Sequence, residues 1–369
     1  MNKVVIIRST GIKEDSRTTK LARELANLNY DVTILGWDRK NQHSENETWE
    51  VGNNVIKLKY FKKQSMYGGG IKNLFKMLSF QSWIKKQVKD LPKGTIIHAC
   101  DYDTAKPIYK MCKNKFKLVY DIFDFYSEAH TLPLGLNKFI NKEELKIINS
   151  ADCTIICTEQ RIEQIKGSNP KKVVVIHNTP DIKFDNSANV INDKLKVCFI
   201  GALTPDRLLL ELVEELPNHP EYEFIFGGLG YYENEIKEAA KNISNLTYLG
   251  QMPYDEVLKC EEDCDVLFAT YSPLIKNHRY SAPNKFYEAG GLSKPVIVCK
   301  GTGIDKLVDE HKTGLTIEYS AKDFFEKLDQ LNKDRNLLKQ LGENGNNAYN
   351  KLFSWEIMKS RIKSLYKNI

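Results

Sequence analysis

The chain has 369 residues, 41% hydrophobic and 28% charged, with a formal net charge of +6. That length exceeds one ordinary core and sets two domains as the expectation, and the composition is that of a globular protein. No apolar run approaches the roughly 18 residues a membrane span needs, and the opening run Val4-Val5-Ile6-Ile7 is too short for a signal peptide, so a cytoplasmic location is expected.

Apolar strand-like runs alternate with helix-like stretches along the first half. KVVIIR precedes a helical stretch around TTKLARELANL, then DVTILGW; later come TIIHAC, a helix from about Asp103, KLVYDIF, CTIICT and VVVIHN. Such repetition predicts a parallel sheet with helices on both faces. Thr179 to Asp193 is polar and aperiodic and reads as a linker. The pattern restarts with KVCFIGAL, a helix near LLLELVEEL, EFIFGGLG, LTYLG, DVLFATY and PVIVC. The expected architecture is α/β, two doubly wound Rossmann-like domains facing across a cleft: residues 1–180, a linker 181–194, and 195–351. A C-terminal helix, 352–369, would pack back on the first domain through Trp355, Ile357, Ile362, Leu365 and Tyr366. A ligand is expected at the carboxyl ends of the strands.

Charge is uneven along this order. Between Val51 and Lys89 there are nine lysines and no acidic residue. Within it, Ile71 to Asp90 reads as a helix: Ile71, Leu74, Phe75 and Leu78 share a face that Trp83, Ile84 and Val88 continue irregularly. The plain reading is a core-facing helix with a solvated lysine side; the other is a surface helix resting on anionic lipid through residues 57–89. Nucleic acid fits poorly, because no known RNA- or DNA-binding motif occurs. The eight cysteines include no Cys-x-x-Cys pair. Cys153 and Cys157 lie on one strand-like run, and four strand residues span about 13 Å, too far for one tetrahedral zinc. All eight read as small buried apolar side chains in a reducing compartment, and no metal is expected.

The segment SAPNKFYEAGGLSKPVIV, from Ser281, carries the clearest chemistry. Pro283 suits a first helical position, Asn284 and Lys285 ride the first turn, Glu288 follows, and Gly290 and Gly291 are expected to end the helix. A helix N-terminus favours a phosphate; Lys285 would add a full charge and Glu288 could accept two ribose hydroxyls. That is a nucleoside-diphosphate site without a metal. Upstream, a strand ends in Gly201, with Arg207 near the next helix start; a second strand ends in Gly227-Gly228-Leu229-Gly230. Glycine at a strand end lets a ligand approach the backbone, and arginine can hold a diphosphate in two-pronged fashion. Neither half has a complete Gly-x-Gly-x-x-Gly after its first strand, which argues against a dehydrogenase. In the first half, Asp15 or Ser16 can cap a helix, Asp101-Tyr102-Asp103 reads as a helix start, and Asp124 and Glu128 follow a strand end.

The order FIGAL, Arg207, FGGLG, YLGQMPYDEV, PNKFYEAGGLSKPVIV, GIDKLV and HKTGLTIE resembles the nucleotide-binding half of retaining GT-B glycosyltransferases, the family-4-like group (glycosyl transferases group 1). The resemblance covers about Lys196 to Tyr319. It implies that Arg207 and Lys285 bind the diphosphate, that Gly250-Gln251-Met252 meets the base, and that Glu288 binds the ribose. VVIHNTPD resembles the family's domain junction. GIKEDSRTTKLARELANLNYDVTILGWDR resembles its opening, with Asp15 and Arg17 before the first helix, and IIHACDYDT and KLVYDIFDFYSE its acceptor-side strands. Two positions depart: Tyr280 stands where many members have a glutamate eight residues before Glu288, and Phe123 where many have histidine before Asp124. Asn277 or His278 could take over a sugar contact. The implied reaction is metal-independent hexosyl transfer with retention from a nucleoside-diphosphate sugar, UDP before GDP, to a lipid-linked or other glycan of a cell-surface polysaccharide (lipopolysaccharide, capsule or exopolysaccharide) at the inner face of the membrane. Arg207, Lys285 and Asp124 are the candidate catalytic residues. Gly201, Gly228, Gly230, Gln251, Met252, Pro283, Asn284 and Glu288 are the further donor contacts. The alternatives are a non-catalytic partner of another transferase and a nucleotide-sugar epimerase or hydrolase.

Overall fold

The computed structural model describes residues 2–13, 15–65, 73–129, 135–181 and 192–369. Ile71 and Lys72 of the basic stretch, and residues 182–191 of the expected linker, lie outside them. The chain divides into two compact units, Met1–His177 with Met358–Ile369, and Asn178–Ile357. The boundary therefore falls after His177 rather than at 180. Asn178 and Pro180 belong with the second unit because Asn178 Nδ2 donates to Asn284 and the Tyr349 hydroxyl donates to the Pro180 carbonyl.

The first unit is built on eight strands: β1 (Lys3–Ile7), β2 (Asp31–Asp38), β3 (Asn46–Val51), β4 (Asn54–Lys62), β5 (Ile96–Cys100), β6 (Lys117–Asp121), β7 (Cys153–Ile156) and β8 (Val173–Val175). Their order across the sheet is β3-β4-β2-β1-β5-β6-β7-β8. Every pairing is parallel except β3 with β4. Central strands such as β1 and β5 are mostly apolar and buried nearly throughout because both faces are covered, with His98 the polar exception in β5. β4 alternates instead, with Ile56, Leu58 and Tyr60 inward and Lys57 and Lys59 outward. The first part of the lysine-rich stretch is thus β4, a strand next to the sheet edge that is not among the elements expected from the sequence. The basic helix runs over Leu74–Val88, and its buried residues are Phe80, Ile84 and Val88. Leu74, Phe75 and Leu78 do not face the core.

The second unit carries β9 (Leu195–Ile200), β10 (Tyr222–Gly227), β11 (Leu246–Tyr248), β12 (Val266–Ala269), β13 (Val296–Cys299) and β14 (Gly314–Ile317). The order is β11-β10-β9-β12-β13-β14, all parallel. In each sheet the chain first winds to one side of its opening strand and then crosses to the other, so switch points lie between β1 and β5 and between β9 and β12. Loops leaving those strand ends diverge and open a crevice at the sheet's carboxyl edge.

The last helix, Trp355–Lys367, buries Trp355, Met358, Ile362, Leu365 and Tyr366. Met358 takes the inward place expected for Ile357, which is half-buried. Its final turns join the first unit: the Tyr366 hydroxyl meets His98 Nδ1 at 2.7 Å, and Tyr30 donates to the Tyr366 carbonyl.

Pro283 caps the helix Asn284–Gly291 rather than opening it, and Gly290 and Gly291 lie inside it. The stop comes two residues later, where Ser293 takes a left-handed φ of 58°. Gly290 is needed for packing: a Cβ there would lie 3.1 Å from the Gly345 carbonyl oxygen of the helix Arg335–Ala348. On that helix a Cβ at Gly342 would lie 2.1 Å from the Ser293 carbonyl oxygen. Glycine-to-alanine in an exposed helix interior stabilises by about 1 kcal/mol. Here the sign should reverse: Gly342→Ala is expected to destabilise by about 1–3 kcal/mol through overpacking, read as a lower melting temperature. An unchanged or higher value would show the contact to be loose.

Candidate functional site

The second unit's site begins at the ends of β9 and β10. Gly201 N donates to the Gly227 carbonyl, Leu203 N to that of Leu229, and Gly228 N to that of Gly250. These bonds zip the neighbouring strand ends together, and glycine is what allows the approach. Gly228 has φ 110°, and a Cβ there would lie 1.9 Å from the Gly201 carbonyl oxygen; at Gly230 it would lie 2.4 Å from that of Leu203. The glycines thus serve backbone against backbone. Gln251 is exposed and Met252 half-buried beyond the turn at Gly250.

Arg207 ends the short 3-10 turn Pro205–Arg207, and Leu208 follows with a left-handed φ of 59°. A non-glycine residue there is strained and held by its surroundings. The Arg207 carbonyl accepts from Thr270 Oγ1, Ser272 N donates to the Asp206 carbonyl, and the Leu208 amide donates to the Tyr319 hydroxyl. The guanidinium, half-exposed, donates to Thr204 and lies 4.3 Å over the Tyr271 ring. Asp206 faces His278 at 3.0 Å. Burial pushes the Asp206 carboxyl up, but hydrogen bonds from His278 and Thr204 and the Arg207 charge hold it well below the usual range. His278 Nδ1 also donates to the Ser272 carbonyl, so it braces this loop. Tyr280 is half-buried at the end of its own turn.

Lys285 and Glu288 are deeper than their sequence suggested. Lys285 is 8% exposed and Glu288 is 0% exposed. The Lys285 ammonium lies 2.7 Å from both Glu261 and Glu288, and the Tyr254 hydroxyl donates to the other Glu288 oxygen at 2.8 Å. Lys285 therefore fixes Glu288 instead of projecting toward solvent. Asn284 is likewise occupied by Asn178, at 2.6 Å. Tyr254 and Glu261 share the helix Tyr254–Glu262. Burial, then the Glu288 charge, push the Glu261 carboxyl up to about 8, against the pull of Lys285. Burial alone would lower the Lys285 ammonium; its two carboxylates raise it.

In the first unit a second polar cluster sits at the β1/β5 switch point. Arg8, just past β1, reaches Asp15 at 2.7 Å and also Asp101, just past β5. Asp15 caps the helix Ser16–Asn27 by accepting from Thr18 N, so capping and ion pairing coincide. Arg17 pairs with Asp121 at 2.5 Å, and His98 Nε2 lies 3.2 Å from the same carboxylate. The Phe123 ring is clamped between Arg8 and Arg17, at 4.1 and 4.4 Å. Asp101, with φ 66°, accepts from the amides of Phe123 and Asp124. It organises this loop and does not cap a helix with its side chain. Burial raises the Asp101 carboxyl to about 7, opposed by Arg8. Asp121 is also pushed up by burial but ends below its usual value through Arg17 and His98. Asp124 itself is exposed, 3.8 Å from Arg161, and Glu128 accepts from Gln164.

The structure thus brings Lys285 and Glu288 together, sets Arg207 in a separately braced turn, and leaves Asp124 at the surface of the other unit. Sequence reasoning missed Arg8, His98, Asp101, Asp121, Glu261 and Tyr254. A signal existed for three of these: Arg8, Asp101 and Asp121 each stand at the carboxyl end of a strand in an α/β pattern.

The charge states give a signed expectation. A carboxyl that holds its proton more tightly when folded adds stability below its unfolded value near 4 and loses it as pH rises through the folded value. Asp101 falls in this class at about 7, and Glu261 and the buried Glu144 at about 8. Asp121 and Asp206 act oppositely, losing stability in acid. The melting temperature should therefore decline from about pH 5 to about pH 9, and Glu261→Gln should flatten that decline. A melting temperature that rises over this window would refute the assignment.

Residues 181–348 match the family described as Glycosyl transferases group 1. An uncharacterised glycosyltransferase of Methanocaldococcus jannaschii is 25% identical over 264 residues, 70% of this chain and 71% of that protein. The capsular polysaccharide biosynthesis glycosyltransferase CapM of Staphylococcus aureus is 26% identical over 184 residues, 48% of this chain and 47% of that one. Among solved structures, sucrose-phosphate synthase of Thermosynechococcus elongatus superposes with a TM-score of 0.80 at 15% identity, covering 100% of this chain and 99% of that one. HepE of Anabaena, in complex with UDP, superposes with 0.70 at 14% identity, covering 100% of both chains. The two structural likenesses span the whole chain and show the expected GT-B fold.

Proposed function

We propose that this chain, whose fold is GT-B and whose residues 181–348 match the Glycosyl transferases group 1 family, is a glycosyltransferase that moves a hexose from a nucleoside-diphosphate sugar, UDP before GDP, to a glycan acceptor with retention of configuration. The carrying observation is the buried Lys285–Glu288 pair on the helix that Pro283 caps. A carboxylate held rigid at that depth can accept ribose hydroxyls, while the helix N-terminus favours the diphosphate. Arg207 is the cation best exposed for the leaving phosphate, and its braced turn supplies preorganisation. In this reading Lys285 orients Glu288, and it would reach a phosphate only by leaving its two carboxylates. The leaving phosphate can take the acceptor's proton, so no metal or protein base is assigned, and Asp124 is kept as an acceptor-side residue. UDP in the HepE complex supports the choice of base.

Thermal-shift titration with UDP and GDP in metal-free buffer tests this. UDP should raise the melting temperature, and Arg207→Ala should weaken its affinity by about 10- to 100-fold, the worth of roughly 1.5–3 kcal/mol for a charged contact. A folded protein that responds to neither nucleotide would move the weight to a non-catalytic partner. Consumption of donor without any acceptor would favour an epimerase or hydrolase.

We propose further that the acceptor is lipid-linked, in cell-surface polysaccharide synthesis, and that the protein works in the cytoplasm, peripheral on the membrane. CapM's name supports the pathway. No helix among the described residues is long and apolar enough to cross a membrane. The helix Leu74–Val88 instead exposes Leu74 by 53%, Phe75 by 77% and Leu78 by 52%, with Lys85 and Lys86 exposed further along. Apolar side chains beside lysines suit an anionic bilayer surface. The protein should co-sediment with phosphatidylglycerol vesicles and not with pure phosphatidylcholine, and Phe75→Ser with Leu78→Ser should release it. Equal binding to both vesicle types, or none, would refute this.

A further inference from the structure

Three cysteines meet in the second unit, Cys198 with the distant pair Cys260 and Cys264. Cys198 lies on β9, Cys260 in the last turn of the helix Tyr254–Glu262, and Cys264 two residues before β12. Their sulfurs all lie within 4.8 Å of one another. Sulfurs bound to one zinc at about 2.3 Å stand about 3.8 Å apart in tetrahedral geometry. Closure around an ion thus needs side-chain movements of about 1 Å or less.

The frame around them is fixed. Asp265 N donates to the Lys196 carbonyl, and the Asp265 carboxylate accepts from Lys196 N at 2.9 Å. Cys264 is thereby locked beside β9. Cys198 and Cys264 belong to the same buried apolar cluster as Ile200, Val257 and Leu267, and Cys260 packs against it. Cys198 and Cys264 are fully buried, while Cys260 is half-buried and gives a way in. The Cys264 thiol donates to the Cys260 carbonyl at the helix end, and the three thiols otherwise meet one another. The spacing rule that set cysteine pairs aside along one strand does not apply to sulfurs gathered from three elements.

We propose that Cys198, Cys260 and Cys264 form a binding site for a thiophilic d10 cation of the zinc class. Soft thiolate ligands select such ions. No further His, Cys, Asp or Glu among the described residues joins the cluster, so the fourth position falls to water entering past Cys260. Loading exchanges three S–H bonds for three metal–sulfur bonds and releases three protons to solvent, so affinity rises with pH. The role is structural, and the site does not rest on the transferase reading or enter its chemistry.

Cadmium titration of the full chain, reduced with a phosphine, tests the site through sulfur-to-cadmium charge-transfer absorption. The expected result is saturation at one equivalent, proton release on binding, displacement of pre-bound zinc by cadmium, and a higher melting temperature with zinc. Cys260→Ser, at a half-buried position that tolerates the change, should lower the band by about a third and weaken binding at least about tenfold. Cys112→Ser, in the other unit, should leave both unchanged. No saturable band at one equivalent, or a Cys260→Ser titration that matches the parent protein, would overturn the proposal.

Discussion

A single ammonium group buried between two carboxylates fixes the geometry of the second unit's site. Fully ionised, Lys285, Glu261 and Glu288 carry a net negative charge in a region nearly closed to water. Interiors resist an unbalanced charge far more than a balanced one. The proton held by Glu261 up to about 8 is the response. It leaves one cation facing one anion at neutral pH, with Tyr254 satisfying the remaining oxygen of Glu288. The helices Tyr254–Glu262 and Asn284–Gly291 are thereby held together by polar contacts that tolerate little displacement. A ligand hydroxyl reaching Glu288 must compete with groups already in place, so binding there is selective for geometry.

Both polar clusters stand where parallel-sheet topology opens a crevice. Beside the β9/β12 switch point, where the ends of β9 and β10 meet, the backbone is drawn so close that a side chain at Gly228 or Gly230 would collide with the segment after β9. The turn that follows is strained at Leu208 and tied by Thr270, Ser272 and Tyr319. At the β1/β5 switch point the same result is reached with charge. Arg8, Arg17, Asp15, Asp101 and Asp121 pair among themselves and hold Phe123 between two guanidinium groups. Phe123, where the family pattern often has histidine, is thus a clamped platform with no proton to exchange.

The alternation of apolar runs and helices made the two parallel sheets legible, because strands covered on both faces must be apolar throughout. The helix after Pro283 was legible from local chemistry. What stayed hidden depends on distant partners. Gly290 read as a helix stop because glycine often is one; its packing against Gly345, 55 residues on, is invisible locally. Lys285 read as a solvent-facing charge because nothing nearby in sequence announces Glu261. β4 was obscured by lysines that alternate outward beside the sheet edge. The helix Leu74–Val88 was legible as a helix, but which apolar side turned inward depended on the sheet beneath it.

The helix Tyr254–Glu262 connects what would otherwise be two separate features. Cys260 turns toward Cys198 on β9, while its neighbour Glu261 turns toward Lys285. Adjacent residues on a helix differ by about 100° in direction, so one turn can serve both. Whatever fixes the sulfur of Cys260 also fixes the backbone that carries Glu261. Because interiors are close-packed, a shift there passes to Lys285 and Glu288. The same helix holds Glu288 from its other end through Tyr254. Anchoring at the thiols therefore acts on the carboxylate without touching it, through a rigid element of nine residues.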